Sequence, residues 1–148
     1  MVKLVYVIGR REDVAPEEFH RYWLEEHGPK VRSVAEAMRA RRYVQTHILD
    51  THVNAALLKS RGMAGAYDGI AELWWDNLFE LRAGSLTPEG VEAGRMLIAD
   101  EAKFIDFARS TMFVAEEHEI FDRRPERRQS RASQRETGDE ERQLEVRG

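Results

Sequence analysis

Val2–Gly9 is apolar at nearly every position, with Leu4, Tyr6 and Ile8 pointing one way and Val5 and Val7 the other. That is a β-strand whose two faces both need cover. The charged turn Arg10–Asp13 leads into Ala15-Pro16-Glu17-Glu18, where a first-turn proline and two carboxylates suit a helix start. Phe19, Tyr22, Trp23 and Glu26/His27 then recur at helical spacing, so an aromatic stripe delivers His27 to one face. At His27-Gly28-Pro29 the pattern predicts a stop, with Gly28 as a left-handed cap. Pro29 then opens a second helix carrying Val31, Val34, Ala35 and Met38.

Alternation marks Tyr43–Leu49, where Tyr43, Gln45 and His47 share one face and Val44, Thr46 and Ile48 the other. A short helix is expected around Asn54–Lys59, followed by the glycine-punctuated loop Arg61–Gly65, whose spacing matches no phosphate-binding loop. The third strand is Tyr67–Trp75, with Glu72 and Trp74 on one face and Trp75 on the other. Asp76 is expected to cap a helix bearing Leu78, Phe79 and Leu81. Thr87-Pro88-Glu89 starts another, for which Val91, Ile98, Ala102 and Ile105 mark the expected buried stripe. Thr111–Phe121 reads as the fourth strand.

This order predicts an α+β fold of ferredoxin-like βαββαβ type: a four-stranded antiparallel sheet with helices on one face. Strands one and three would be central. Being apolar on both faces, they need cover on the side without helices, which a second copy supplies most simply. The expectation is a homodimer whose sheets close face to face over a shared interior, a dimeric α+β barrel.

Composition changes after Phe121, because residues 122–148 hold only Ala132, Leu144 and Val146 as apolar side chains. One folded domain, 1–121, is therefore expected, followed by a charged, disordered tail, 122–148. The net charge of -4 conceals 15 Lys+Arg against 20 Asp+Glu in residues 1–121. An acidic domain argues against a nucleic-acid surface. No stretch is apolar enough to span a membrane, and the chain reads as cytoplasmic. With no cysteine, chemistry must come from His, Asp/Glu, Tyr, Ser/Thr or a bound group.

Four segments together resemble an EthD domain: Phe19…Tyr22-Trp23…His27-Gly28-Pro29, Arg42-Tyr43-Val44-Gln45-Thr46-His47, Asp68–Asp76 and Asp100–Asp106. The resemblance spans roughly residues 3 to 121 and implies a dimeric α+β barrel. Relatives in that family include a muconolactone methylisomerase, polyketide dehydratases or cyclases, and an accessory protein of ether degradation. They generally use no cofactor, so none is expected here.

Candidate chemistry centres on three residues. His27 is either a helix-terminal cap, worth about 0.3–1 kcal/mol, or a general acid/base with an unperturbed pKa near 6.5. His47 shares its face with Tyr43 and Gln45, a combination that suits a pocket. Glu72 is the carboxylate most open to perturbation, raised by burial or lowered by a cation. Tyr22, Tyr43, Gln45, His52 and Trp74 are the candidate substrate contacts, Trp74 by stacking on an aromatic ring. No metal is expected, since the histidine spacings match no zinc site. The leading expectation is a cofactor-independent dehydratase, cyclase or isomerase acting on a small aromatic, polyketide or lactone-like molecule. The alternatives are a non-catalytic binding or accessory protein for an oxygenase, and a haem-binding or cofactor-free oxygenase.

Overall fold

A computed structural model of the chain describes residues 1–65 and 67–126; most of the expected tail, 127–148, lies outside them. The elements in order are β1 (Val2–Ile8), α1 (Pro16–Tyr22), a π-helical turn (Trp23–His27), α2 (Gly28–Val34), β2 (Arg42–His47) and α3 (His52–Ser60). There follow β3 (Gly69–Trp75), α4 (Leu78–Leu86), α5 (Pro88–Glu101), a 3-10 turn (Phe107–Arg109) and β4 (Thr111–Glu116). The compact unit is Met1–Glu117.

The sheet runs β2-β3-β1-β4, antiparallel throughout, with β1 and β3 central. This is the ferredoxin-like α+β arrangement expected from the strand periodicity. Register puts Tyr6 opposite Ala71 and Leu4 opposite Leu73, and continues to Tyr43 and Gln45 on β2. This face carries the core of Tyr6, Ile8, Phe19, Trp23, Ala71, Phe104 and Ile105. The opposite face presents Lys3, Val5, Val7, Ile70, Glu72, Trp74, Val44 and Phe113. Trp74 and Trp75 thus part as alternation predicts, Trp75 toward the helices with its indole N–H on the Met38 carbonyl at 2.8 Å.

The expected stop at His27-Gly28-Pro29 does not occur. Gly28 is right-handed, at φ -52° and ψ -50°, and the chain stays helical through Val34. Pro29 has no N–H to give the Glu25 carbonyl, so a proline here would ordinarily break the α pattern. A π turn absorbs the defect, with the Gly28 N–H reaching five residues back to the Trp23 carbonyl. Such insertions are frequently found at functional positions.

Three smaller expectations are also corrected. Asn77, not Asp76, caps α4, accepting from the Glu80 N–H at 2.9 Å, while Asp76 pairs with Arg41. Helix α5 buries Gly90, Ala93 and Asp100, whereas Val91 and Ile98 are exposed. Small residues face inward there because α4 approaches too closely for more: a Cβ on Gly90 would meet the Gly84 carbonyl oxygen. β4 ends at Glu116, leaving His118 outside the strand. Glycine at 69 has a comparable reason, since a Cβ there would lie 2.5 Å from the Trp23 ring.

Candidate functional site

A cleft of about 440 Å³ opens between the helix and the sheet at the β2 edge. Leu24, Gly28, Pro29, Val31 and Ala35 form its helical wall, and Tyr43, Gln45 and Leu73 its sheet wall. A concave, largely apolar space with a few polar groups is what a small-molecule site requires. Continuous helix from Pro16 to Val34 supplies one side, so the π turn directly shapes the cleft.

A chain of hydrogen bonds holds the sheet wall. Gln45 Nε2 donates to the Trp23 carbonyl at 2.7 Å and to Tyr43 Oη at 2.9 Å. A carbonyl only accepts, so the amide nitrogen must face Trp23, and Gln45 Oε1 is left toward His47 Nε2 at 2.8 Å. His47 therefore carries its proton on Nε2. Its Nδ1, 2.7 Å from His20 Nδ1, is then the acceptor, and His20 holds the shared proton. Burial, and then the neighbouring His20, push the His47 pKa below the usual histidine range, which keeps this tautomer neutral. The ring also lies against Trp23, centroids 4.3 Å apart. Tyr43 Oη accepts from Gln45, so its own O–H is aimed elsewhere.

A second titratable group bears on Tyr43. The Glu101 carboxyl, at the C-terminal end of α5, is half-buried and in electrostatic reach of the Tyr6 and Tyr43 hydroxyls. Burial pushes its pKa up to about 7, and the adjacent Asp100 charge adds to the rise. Tyr43 and Tyr6 are both raised from the ordinary phenol value, chiefly by burial. At neutral pH the two phenols stay protonated while Glu101 is divided between its forms.

His27 does not face the cleft. It is buried, with Nδ1 2.7 Å from Asp100 Oδ2 and its ring edge-on to Phe104. Asp100 also receives Tyr22 Oη at 2.5 Å and Lys30 Nζ at 2.6 Å. Burial opposes its ionisation, but bonds from Lys30, Tyr22, His27 and Lys103 hold the carboxyl well below the usual carboxylate range. His27 is pushed down, first by burial, with Asp100 pulling the other way. The group is a buried polar clamp between the first helix and α5, and it takes Tyr22 away from any ligand in the cleft.

Glu72 and Trp74 lie on the opposite face of the sheet. Glu72 pairs with Lys3 at 2.6 Å, and Lys3 also reaches Glu117 at 3.1 Å. The Trp74 indole N–H donates to Glu117 at 2.9 Å, and the Arg42 guanidinium stacks on its ring at 4.5 Å. Neither shares a space with Tyr43, because strand alternation separates them. His52 is exposed at the start of α3. Of the candidate residues, the structure brings Tyr43, Gln45 and His47 together around the cleft and leaves His27, Tyr22, Glu72, Trp74 and His52 apart from it. His20 and Glu101 were missed. His20 gave no signal in the sequence, but a carboxylate ending a helix, where the dipole disfavours it, was a readable one for Glu101.

Among the described residues no three or more His, Asp or Glu side chains are grouped to hold a metal ion, and no helix is long and apolar enough to cross a membrane.

Solved structures of similar fold include an EthD family protein from Bacillus halodurans, 22% identical with a TM-score of 0.55, covering 80% of this chain and 99% of that one. An EthD-like protein from Ralstonia eutropha is 16% identical at a TM-score of 0.53, with 85% and 96% covered. A Bacteroides fragilis protein described as dimeric and ferredoxin-like is 15% identical at 0.50, with 78% and 95% covered. No curated protein matches the chain. The EthD domain matches residues 11–108, a span running from the turn before α1 to the turn before β4 and enclosing both walls of the cleft; the chain belongs to the EthD family.

Proposed function

We propose that the protein is a cofactor-independent acid–base enzyme, a dehydratase, cyclase or isomerase, acting on a small aromatic, polyketide or lactone-like molecule held in the cleft. The observation that carries this is the cleft with Tyr43 fixed by Gln45 on its wall, and the half-buried Glu101 carboxyl, raised to about 7 by burial, in electrostatic reach of that phenol. Such reactions move a proton off one carbon or oxygen centre and onto another, and need no electron sink. A carboxyl with a pKa close to the working pH can both take and return that proton. Tyr43, fixed by Gln45 and kept protonated, donates a hydrogen bond to the oxygen where charge develops. Val31 and Leu73 supply an apolar wall beside the reacting centre, which strengthens both interactions.

The role first expected for His27 passes in this reading to Glu101, and His27 with Asp100 positions the helical wall. The same proposal includes a homodimer formed through the open sheet face, where Val5, Val7 and Phe113 have no helix over them; the Bacteroides fragilis neighbour is described as dimeric.

The test is turnover of a panel of aromatic lactones and linear polyketide mimics by wild type, Glu101→Gln and Tyr43→Phe. Each variant should lose about 10²–10⁴-fold in kcat with its fold intact. Undiminished kcat in Glu101→Gln would refute the assignment. Ligand binding without turnover in any of the three proteins would favour a binding or accessory role instead.

A further inference from the structure

The charged residues that border the cleft are all arginines, though not all of their charges face it. Arg32, Arg41 and Arg42 contribute to its lining and no Asp or Glu does, although the chain as a whole carries a net charge of -4. Two of these guanidiniums are engaged. Arg41 makes two hydrogen bonds to Asp76, at 2.8 and 3.1 Å, and Arg42 lies on the Trp74 ring at 4.5 Å. Arg32 makes no ion pair among the described residues, not even with Glu36 one helical turn on. It projects from α2 one turn after Gly28, beside the apolar positions Val31 and Ala35 that line the same wall.

An unpaired guanidinium at the edge of an apolar cleft is a specific recognition element. Its planar fork matches a carboxylate with two parallel hydrogen bonds, and the low-dielectric wall beside it strengthens the attraction. We propose that the ligand of this cleft is a largely apolar molecule bearing a carboxylate, with Arg32 as the residue that binds the acid. This rests on the cleft being the ligand site assigned above, and adds the ligand's charge to it. The apolar body lies between the helical wall and Leu73, and its acid group is turned outward to Arg32. The reacting part is left inward, toward Tyr43. Arg41 adds little to the attraction, since its charge is already balanced by Asp76.

The experiment uses naphthoate and its uncharged counterpart naphthamide as probes, titrated into the full-length protein and followed by amide chemical shifts. Naphthoate should bind about tenfold more tightly than naphthamide, as one charge-assisted pair would give, with shifts clustered on α2 and β2. Arg32→Gln should abolish that preference, while Arg61→Gln, a change in the separate hollow beneath α3, should leave it unchanged. Equal binding of the two probes, no binding of either, or an acid preference that survives Arg32→Gln overturns the proposal. Tyr43→Phe and Glu101→Gln separate it from the acid–base reading. Acid preference retained in both, with neither changing turnover, defeats the reaction and leaves the carboxylate assignment standing.

Discussion

Glu101 carries a consequence for stability as well as for chemistry. Its carboxyl is raised to about 7 in the folded state, so the native protein holds that proton more tightly than the unfolded chain. Folding stability therefore falls as pH rises from about 4.5 to about 7 and is flat beyond. His27 acts in the opposite sense: pushed down by burial, it destabilises the fold as pH drops below the ordinary histidine range. Comparing variants at fixed pH separates the two. Urea denaturation should show Glu101→Gln gaining stability relative to wild type at pH 8 but not at pH 4; an equal difference at both would contradict the raised pKa. Asp100 is a different case, because four donors converge on a nearly dry carboxylate. Asp100→Asn should lose about 3 kcal/mol in the same assay. A loss under about 0.5 kcal/mol, the size of a surface change, would mean that the clamp is solvated.

At the scale of elements, period-two alternation makes most of the sheet legible in the sequence. It separates Tyr43, Gln45 and His47 from Glu72 and Trp74, but alternation says which residues share a face and not which face holds the ligand. The helix was less legible. Its aromatic stripe is real, but a π turn inserts a residue, and everything beyond it is rotated by about one helical position relative to an α-helix. That rotation puts Gly28 and Val31 on the cleft and His27 against α5. A stop at Gly28-Pro29 was the ordinary inference, and only the carbonyl of Trp23, shared between the Gly28 N–H and Gln45 Nε2, explains why the chain continues. Long-range pairs such as His20 with His47 leave no local pattern. Gly69 tests the packing of this element most simply. Gly69→Ala should destabilise by about 1–3 kcal/mol, because the added methyl must displace both the Trp23 ring and the Thr46 backbone carbonyl. An unchanged urea midpoint would show that both have room to move.

For the whole molecule, the face of the sheet without helices combines Val5, Val7, Val44, Ile70 and Phe113 with the Lys3–Glu72–Glu117 group. Apolar residues around a paired charge cluster are what a self-complementary interface needs, with the charges fixing register. Light scattering should give twice the chain mass at micromolar concentration, and Phe113→Arg should shift it toward one chain. A wild-type monomer would remove the closed barrel. The cleft lies on the other side of the sheet, so each copy keeps its own site, and the monomeric variant should still bind ligand there.

The claim on which the rest depends is that Glu101, in electrostatic reach of Tyr43, is a proton carrier poised near neutrality. Carbon-13 NMR titration of the glutamate side-chain carboxyls, with Glu101 assigned by its Gln variant, measures this directly. The account requires a Glu101 midpoint near 7; a midpoint in the ordinary carboxylate range, near 4.5, would contradict it.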